Sequence, residues 1–291
     1  VRSTPTNIVF DNKIYIMGGA TDSTTRLNDV WSSNDGANWS LVTGSAGWSV
    51  RSSHTSVVYD DKIFILGGND GTTKYKDVWS SSDGDSWNLA TGAAAWSARY
   101  GHSSVVYDNK MFLIGGTDGV SELNDVWSSV DGATWSLVTA TAAWGVRREH
   151  ASVVYDNKMF VMGGYDGSAR SNDVWSSMDG ANWDLVTGAA EWSARGWCPS
   201  VVHDNHIYIM GGTDGVQLND VWSSSDGGVS WDLVTGAAGW GTRYSHRGVV
   251  YNNEVFIMGG YDDGSRLNDV WSIELASAST STSVTASESS V

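Results

Sequence analysis

Six arginines recur at near-constant spacing, Arg2, Arg51, Arg99, Arg147, Arg195 and Arg243. Three residues after four of them stands a histidine: His54, His102, His150 and His246, with Pro5 and Cys198 at the same place in the other two copies. A ring of guanidinium groups could grip an anion, and a ring of imidazoles could bind a metal or carry protons. Six aspartates at another repeating position, Asp22, Asp70, Asp118, Asp166, Asp214 and Asp262, could suggest calcium. The two residues that follow each repeating arginine differ from copy to copy: Ser3-Thr4, Ser52-Ser53, Tyr100-Gly101, Arg148-Glu149, Gly196-Trp197 and Tyr244-Ser245. These carry aromatic faces for stacking and a directional donor and acceptor.

The repeating residues read as structural. A sixfold repeat implies a sixfold job, so each arginine is expected to pin neighbouring units through carbonyl or Asp hydrogen bonds. Metal ligands must converge within a few ångströms, and units on opposite sides of a six-membered ring are too far apart for that. The aspartates lack the alternation of an EF-hand and fit Asx-turns. His203 and His206 replace Tyr and Lys of the repeat and read as surface substitutions. No nucleophile motif, phosphate loop or zinc pair occurs, so no catalytic residue, metal site or cofactor is assigned.

The elements that must position these residues follow from one period. Glycine pairs begin at Gly18, Gly67, Gly115, Gly163, Gly211 and Gly259, steps of 49, 48, 48, 48 and 48 residues. Such a period means a solenoid or a propeller whose units cannot bury a core alone. Each unit has four short β-like runs and no 3.6-residue periodicity. In the third copy they are His102 to Tyr107, Lys110 to Ile114, Asp125 to Ser129 and Thr134 to Val138. Asp108-Asn109 and Asp131-Gly132 mark tight hairpins, because Asn, Asp and Gly tolerate positive φ. Four antiparallel strands repeated six times predict an all-β, six-bladed propeller.

Arg-x-x-His, an apolar run, the Gly-Gly pair, Asn-Asp-Val-Trp and a later Trp together resemble the kelch repeat. The resemblance spans residues 2 to 275 and implies a kelch-type β-propeller, a fold that hosts many functions. Kelch repeats commonly carry the histidine, which supports its structural reading. Galactose oxidase has similar repeats, but its Cys-Tyr crosslink and copper ligands have no assignable counterpart. Ser224 to Trp231 resembles the Asp-box turn of sialidases, a structural hairpin. The sialidase arginine triad is not carried over, because its N-terminal signature is missing.

Of 17 tryptophans, 16 belong to the repeat. Six lie in the third strand (Trp31, Trp79, Trp127, Trp175, Trp222, Trp271), five in the fourth (Trp39, Trp87, Trp135, Trp183, Trp231) and five beyond it (Trp48, Trp96, Trp144, Trp192, Trp240). They read as core between blades; only Trp197 is off pattern. The sixth copy loses the pattern after Trp271, so residues 1–275 are read as the propeller and 276–291 as a Ser/Thr-rich tail or linker. Blade 6 is thus incomplete or closed by a terminal segment. Val1 aligns with Val50, inside a repeat unit, and a segment upstream of Val1 is the preferred source of the missing strand; the tail is a weaker one.

The net charge is -16. Most aspartates fall at the turn positions of Asp108, Asp118, Asp125 and Asp131, so the acidity is largely turn chemistry. It argues against nucleic acid, which wants a basic face. No apolar run suits a membrane helix, so no direct membrane insertion is expected. The single Cys198 excludes an intrachain disulfide framework. The compartment, secreted or cytoplasmic, is left open.

The loops between second and third strands lie at the same end as the varied pairs. One face of the propeller is uniform and the other individualised, which is how binding sites are built on rigid scaffolds. The candidate site is Tyr100, Arg148, Glu149, Trp197, Tyr244, Ser52, Ser53, Tyr165 and Tyr261, with Arg26, Arg170 and Arg266 nearby. The expected function is a non-enzymatic recognition or scaffold module for a protein or glycan ligand. The alternatives are a structural assembly protein, or a sugar-directed enzyme (epimerase or glycosidase-like) using Glu149.

Overall fold

The computed structural model describes residues 1–274 and, as backbone, the strand Ala286–Ser290. Every element is a β-strand, and the strands form six four-stranded antiparallel sheets. In chain order each sheet is built from consecutive strands, so each is one blade. The innermost strands are Thr6–Phe10, Thr55–Tyr59, Ser103–Tyr107, Ala151–Tyr155, Ser200–His203 and Arg247–Tyr251. Each touches the next around the axis, and the last meets the first, closing a six-bladed propeller.

The hairpins form where the Asx pairs predict them. Asp108 and Asn109 have φ of 45° and 53°, and Tyr107 pairs with Lys110 across them. The glycine pairs are more than strand ends. In blades 1, 3 and 5 the second strand runs through them, as in Lys110–Thr117, with a bulge between Ile114 and Gly116. In blades 2, 4 and 6 it stops before them, as in Lys62–Leu66. Gly116 has φ of 96°, and a Cβ there would lie 2.8 Å from the His102 nitrogen and 2.9 Å from the Tyr100 oxygen. Only glycine lets the ladder bend so close to the next backbone segment.

The core lies between blades. Val57, Phe64, Leu66, Val78 and Trp96 of the second repeat pack on Met111, Leu113 and Trp135 of the third, and the other interfaces repeat this. Trp48, Trp96, Trp144, Trp192 and Trp240 are 0–2% exposed. Four of them meet an outer-strand indole edge-on: Trp48–Trp87, Trp96–Trp135, Trp144–Trp183 and Trp192–Trp231, with centroids 5.9–6.1 Å apart. Burying a side chain of this size contributes about 1.5–3 kcal/mol, and the edge-on geometry about 0.5–1.5 more.

The arginine ring is structural, as its repetition predicts. Arg51 donates through its backbone N–H to Leu27 of blade 1 and accepts from Gly19 there. Its guanidinium reaches into blade 2, to both oxygens of Asp77 at 2.8 Å and to the Gly67 carbonyl at 2.8 Å. The same aspartate accepts from Trp79 Nε1 at 2.7 Å. Each copy forms this Arg-Asp-Trp unit, and Arg2 closes the ring by joining Leu267 and Gly260 of blade 6 to Asp29 of blade 1.

In the outer place of blade 6, Ala286–Ser290 pairs antiparallel with Asp269–Ile273. Part of the Ser/Thr-rich tail is therefore a strand, and the rest of it lies outside the described residues. Ala, Ser and Glu are weak strand formers, and backbone ladder bonds to an open edge hold the segment regardless of its side chains.

Candidate functional site

The varied pairs do lie together with the loops between second and third strands. Isolated bridges tie Ser52 to Asn69, Tyr100 to Thr117, Arg148 to Tyr165 and Tyr244 to Tyr261. The second residue of each pair takes a left-handed backbone: Thr4, Ser53, Gly101, Glu149, Trp197 and Ser245 have φ of 49°, 52°, 64°, 52°, 57° and 57°. That conformation turns each peptide sideways, and six hydrogen bonds run head to tail around the axis. Ser53 N donates to Thr4 O, Gly101 N to Ser53 O, Glu149 N to Gly101 O, Trp197 N to Glu149 O, Ser245 N to Trp197 O and Thr4 N to Ser245 O, at 2.7–3.1 Å. Five of the six residues are not glycine, and each such residue costs about 1–2 kcal/mol in this conformation. Nothing in the residue types announces this ring.

Above the ring is an open cup of about 630 Å³. Ser52, Ser53, Tyr100, Arg148, Glu149, Trp197, Tyr244 and Tyr261 of the candidate set line it, with Arg26, Lys74 and Arg266. Tyr165 is not in the wall; it stands behind Trp197, ring centroids 5.9 Å apart. From there an aromatic row continues, Trp197 to Tyr244 at 6.4 Å and Tyr244 to Tyr261 at 5.4 Å. Guanidinium groups interleave it: Arg148 and Arg170 on Tyr165, Arg170 on Trp197 and Arg266 on Tyr261, at 5.3–5.8 Å. Such contacts hold each arginine in place for about 0.5–1 kcal/mol. Across the cup are hydroxyls and cations, with Arg26 Nε donating to Ser52 Oγ at 2.9 Å and Arg266 Nε to Ser3 Oγ at 3.0 Å. Trp197 is half-buried rather than fully exposed.

Arg148 and Glu149 do not act as a pair. The left-handed backbone at Glu149 turns the two side chains apart, and Arg148 instead forms an ion pair with Glu122 at 3.1 Å. Glu149 turns to the axis and is 9% exposed. Burial pushes its carboxyl above the usual range, against the pull of Arg247, Arg148 and a hydrogen bond with Ser53.

Beneath the ring is an axial cavity of about 180 Å³, which Glu149 and Trp197 share with the cup. Arg247 enters it, its Nε donating to Pro5 O at 2.7 Å. Sequence reading passed over Arg247. The signal was there, since the residue four places after each repeating arginine reads Thr6, Thr55, Ser103, Ala151, Pro199 and Arg247, five uncharged residues and one cation. His54, His102 and His150 line the same shaft. His102 Nε2 meets Thr55 Oγ1 at 3.1 Å and His150 Nε2 meets Ser103 Oγ at 2.8 Å, each across a blade boundary. Burial, and next the neighbouring Arg99 or Arg147, drives both imidazoles down to about 3, and His54 and His246 shift the same way. All four are neutral at pH 7. The Cys198 thiol is pushed up to about 11 by burial and stays protonated.

The acidic loops follow Asx geometry. Asp118 Oδ1 accepts from the N–H groups of Val120 and Ser121 at 2.8 and 2.9 Å, and Asp70 and Asp166 do likewise. Among the described residues, no three His, Cys, Asp or Glu side chains converge as a metal site would require. No described helix is long and apolar enough to cross a membrane.

Residues 81–237 match the family described as the KLHDC2/KLHL20/DRC7 Kelch-repeats domain. Residues 242–277 match the Kelch motif, and residues 4–130 match the DUF6242 beta propeller domain. No curated protein matches the chain.

Proposed function

Because the chain belongs to the kelch-repeat family of β-propellers, a fold that serves protein interaction, we propose that it is a recognition module whose cup holds an acidic segment of a partner protein. One observation carries this reading. Six arginines are bound into the blades; the other five, Arg26, Arg148, Arg170, Arg247 and Arg266, all gather at the cup and its axis. In a chain of net charge -16, that concentration, although Arg148 is paired with Glu122 and Arg247 faces Glu149, supports a face that receives negative charge.

A glycan is the second ligand class. Sugars stack on free aromatic faces, but guanidiniums already lie over Tyr165, Trp197 and Tyr261. The arrangement thus favours carboxylates over neutral sugar rings. The enzyme alternative would rest on Glu149, whose buried carboxyl faces Arg247 rather than a second acid.

The test is a binding screen of acidic peptides, neutral peptides and glycans against the protein and two variants, Trp197→Ala and Arg148→Ala. Acidic peptides should bind, weaken as salt rises, and lose tenfold or more in each variant. Binding by glycans alone, or peptide binding untouched in both variants, refutes the reading.

A further inference from the structure

Two charges break the repeat near the axis. Four places after the repeating arginine, Thr6, Thr55, Ser103, Ala151 and Pro199 carry no charge, and the sixth copy has Arg247. Two places after it, Thr4, Ser53, Gly101, Trp197 and Ser245 carry none either, and the fourth copy has Glu149. A sixfold structural task needs neither charge, since the other five copies do without. The two are of opposite sign, come from blades 6 and 4, and meet in the axial cavity of about 180 Å³ to which all six blades contribute.

Their geometry differs from that of the structural ion pairs of this chain. Every repeating arginine holds its aspartate at 2.6–3.0 Å, and Arg148 holds Glu122 at 3.1 Å. Arg247 and Glu149 feel each other's charge but form no such contact among the described residues. In the place of Arg247, Thr55 and Ser103 meet the histidine of the next blade at 3.1 and 2.8 Å. Here the next blade offers Pro5, whose carbonyl accepts from Arg247 Nε at 2.7 Å. The two terminal amino groups of the guanidinium have no acceptor among the described residues, and Arg247 is partly exposed to the open shaft. The other titratable groups on this wall are uncharged at pH 7: His54, His102 and His150 are neutral imidazoles, and the Cys198 thiol keeps its proton. Further along the inner strands Val9, Val58, Val106, Val154, Val202 and Val250 are each partly exposed, so the shaft stays open beyond the cavity.

The wall therefore carries one positive and one negative group around open space. A ligand of net charge would leave one of them uncompensated, which is costly away from bulk water. A zwitterion compensates both, and a guanidinium fork matches a carboxylate. One water needs about 10–15 Å³ of such space and a drug-sized ligand at least about 300 Å³, so a cavity of 180 Å³ suits a small organic solute. We propose that the axial cavity binds a free amino acid of small side chain, its carboxylate on the Arg247 guanidinium and its ammonium group on Glu149. The ligand sits beneath the peptide ring and uses none of the cations that line the cup.

The test titrates glycine, alanine and serine into the 291-residue chain by calorimetry, with acetate as the carboxylate alone and methylamine as the ammonium alone. The amino acids should bind, and acetate and methylamine should each bind at least about tenfold more weakly, the fold-change of one lost charge-assisted contact. Glu149→Gln should erase the advantage of glycine over acetate, and Arg247→Gln should weaken every amino acid by about tenfold or more. Thermal melting checks that both variants fold, and the comparison of glycine with acetate in the unaltered chain needs neither. Three results would each overturn the proposal: no binding of the amino acids, acetate binding as tightly as glycine, or glycine binding untouched by both substitutions. If acidic peptides bind the cup in any of these cases, the reading of the cup stands and the axial site alone falls.

Discussion

The six copies of the Arg-Asp-Trp unit are chemically alike and differently buried, so they form an internal experiment. In Asp125→Ala, Arg99 loses two charge-assisted bonds of 2.6 and 2.7 Å, and Trp127 Nε1 loses its acceptor at 2.7 Å. The guanidinium side chain is 1% exposed and water cannot replace the carboxylate. Removing one partner of a buried pair costs about 3–5 kcal/mol. The Gly115 carbonyl and Ser97 hydroxyl, at 2.9 and 3.0 Å, remain and hold the loss within that range. In Asp29→Ala the same three bonds vanish, at 3.0, 3.0 and 2.8 Å, but Arg2 is 12% exposed and can turn toward solvent. The loss there should fall to about 1–3 kcal/mol, that of an unsatisfied polar group. At about 2–4 °C per kcal/mol, Asp125→Ala lowers the melting temperature by about 6–20 °C and Asp29→Ala by roughly half as much. The assay is paired thermal and urea denaturation of both variants. Equal losses would refute the argument that burial sets the cost.

Phe10 holds the place of Tyr59, Tyr107 and Tyr155, whose hydroxyls donate to a carbonyl of the next blade at 2.9–3.0 Å; Phe10→Tyr should gain about 0.5–1.5 kcal/mol by urea denaturation. Stability should fall on acidification from pH 6.5. The unfolded chain protonates its histidines there, while His102 and His150 stay neutral down to about 3. Between those limits the unfolded state binds more protons, so each contributes a loss of about 1.4 kcal/mol per pH unit. His102→Asn should flatten the urea midpoint between pH 4.5 and 6.5, and an unchanged slope would contradict the burial of that imidazole.

The fold was legible because repetition averages out local noise. One Asp-Asn pair is a weak hairpin signal, whereas six of six copies carrying Asp or Asn at both places fix the strand order. The gathering of Tyr100, Trp197, Tyr244 and Tyr261 was legible for the same reason: once the constant positions were assigned to the blades, the variable ones had to share an end. What escaped depends on direction and burial. Arg148 and Glu149 are adjacent in sequence, and only the left-handed turn at Glu149 shows that one reaches Glu122 and the other the axis. Arg247 sits in an inner strand among residues that read as core, and its cavity exists only once six inner strands surround it. The last outer strand resisted sequence reading because Ala286–Ser290 lacks the apolar pattern of its counterparts.

The head-to-tail peptide ring at the cup floor has an electrostatic consequence. Six peptide dipoles laid tangentially around a closed circle sum to nearly nothing, and every N–H is already given to a neighbour. The floor therefore offers no backbone donors and no net field, unlike a helix terminus or a backbone nest. Whatever the propeller selects, it must select with side chains. Its twelve varied positions can then be rewritten toward a new ligand while the floor stays as it is, provided that six of them hold residues able to keep a left-handed backbone.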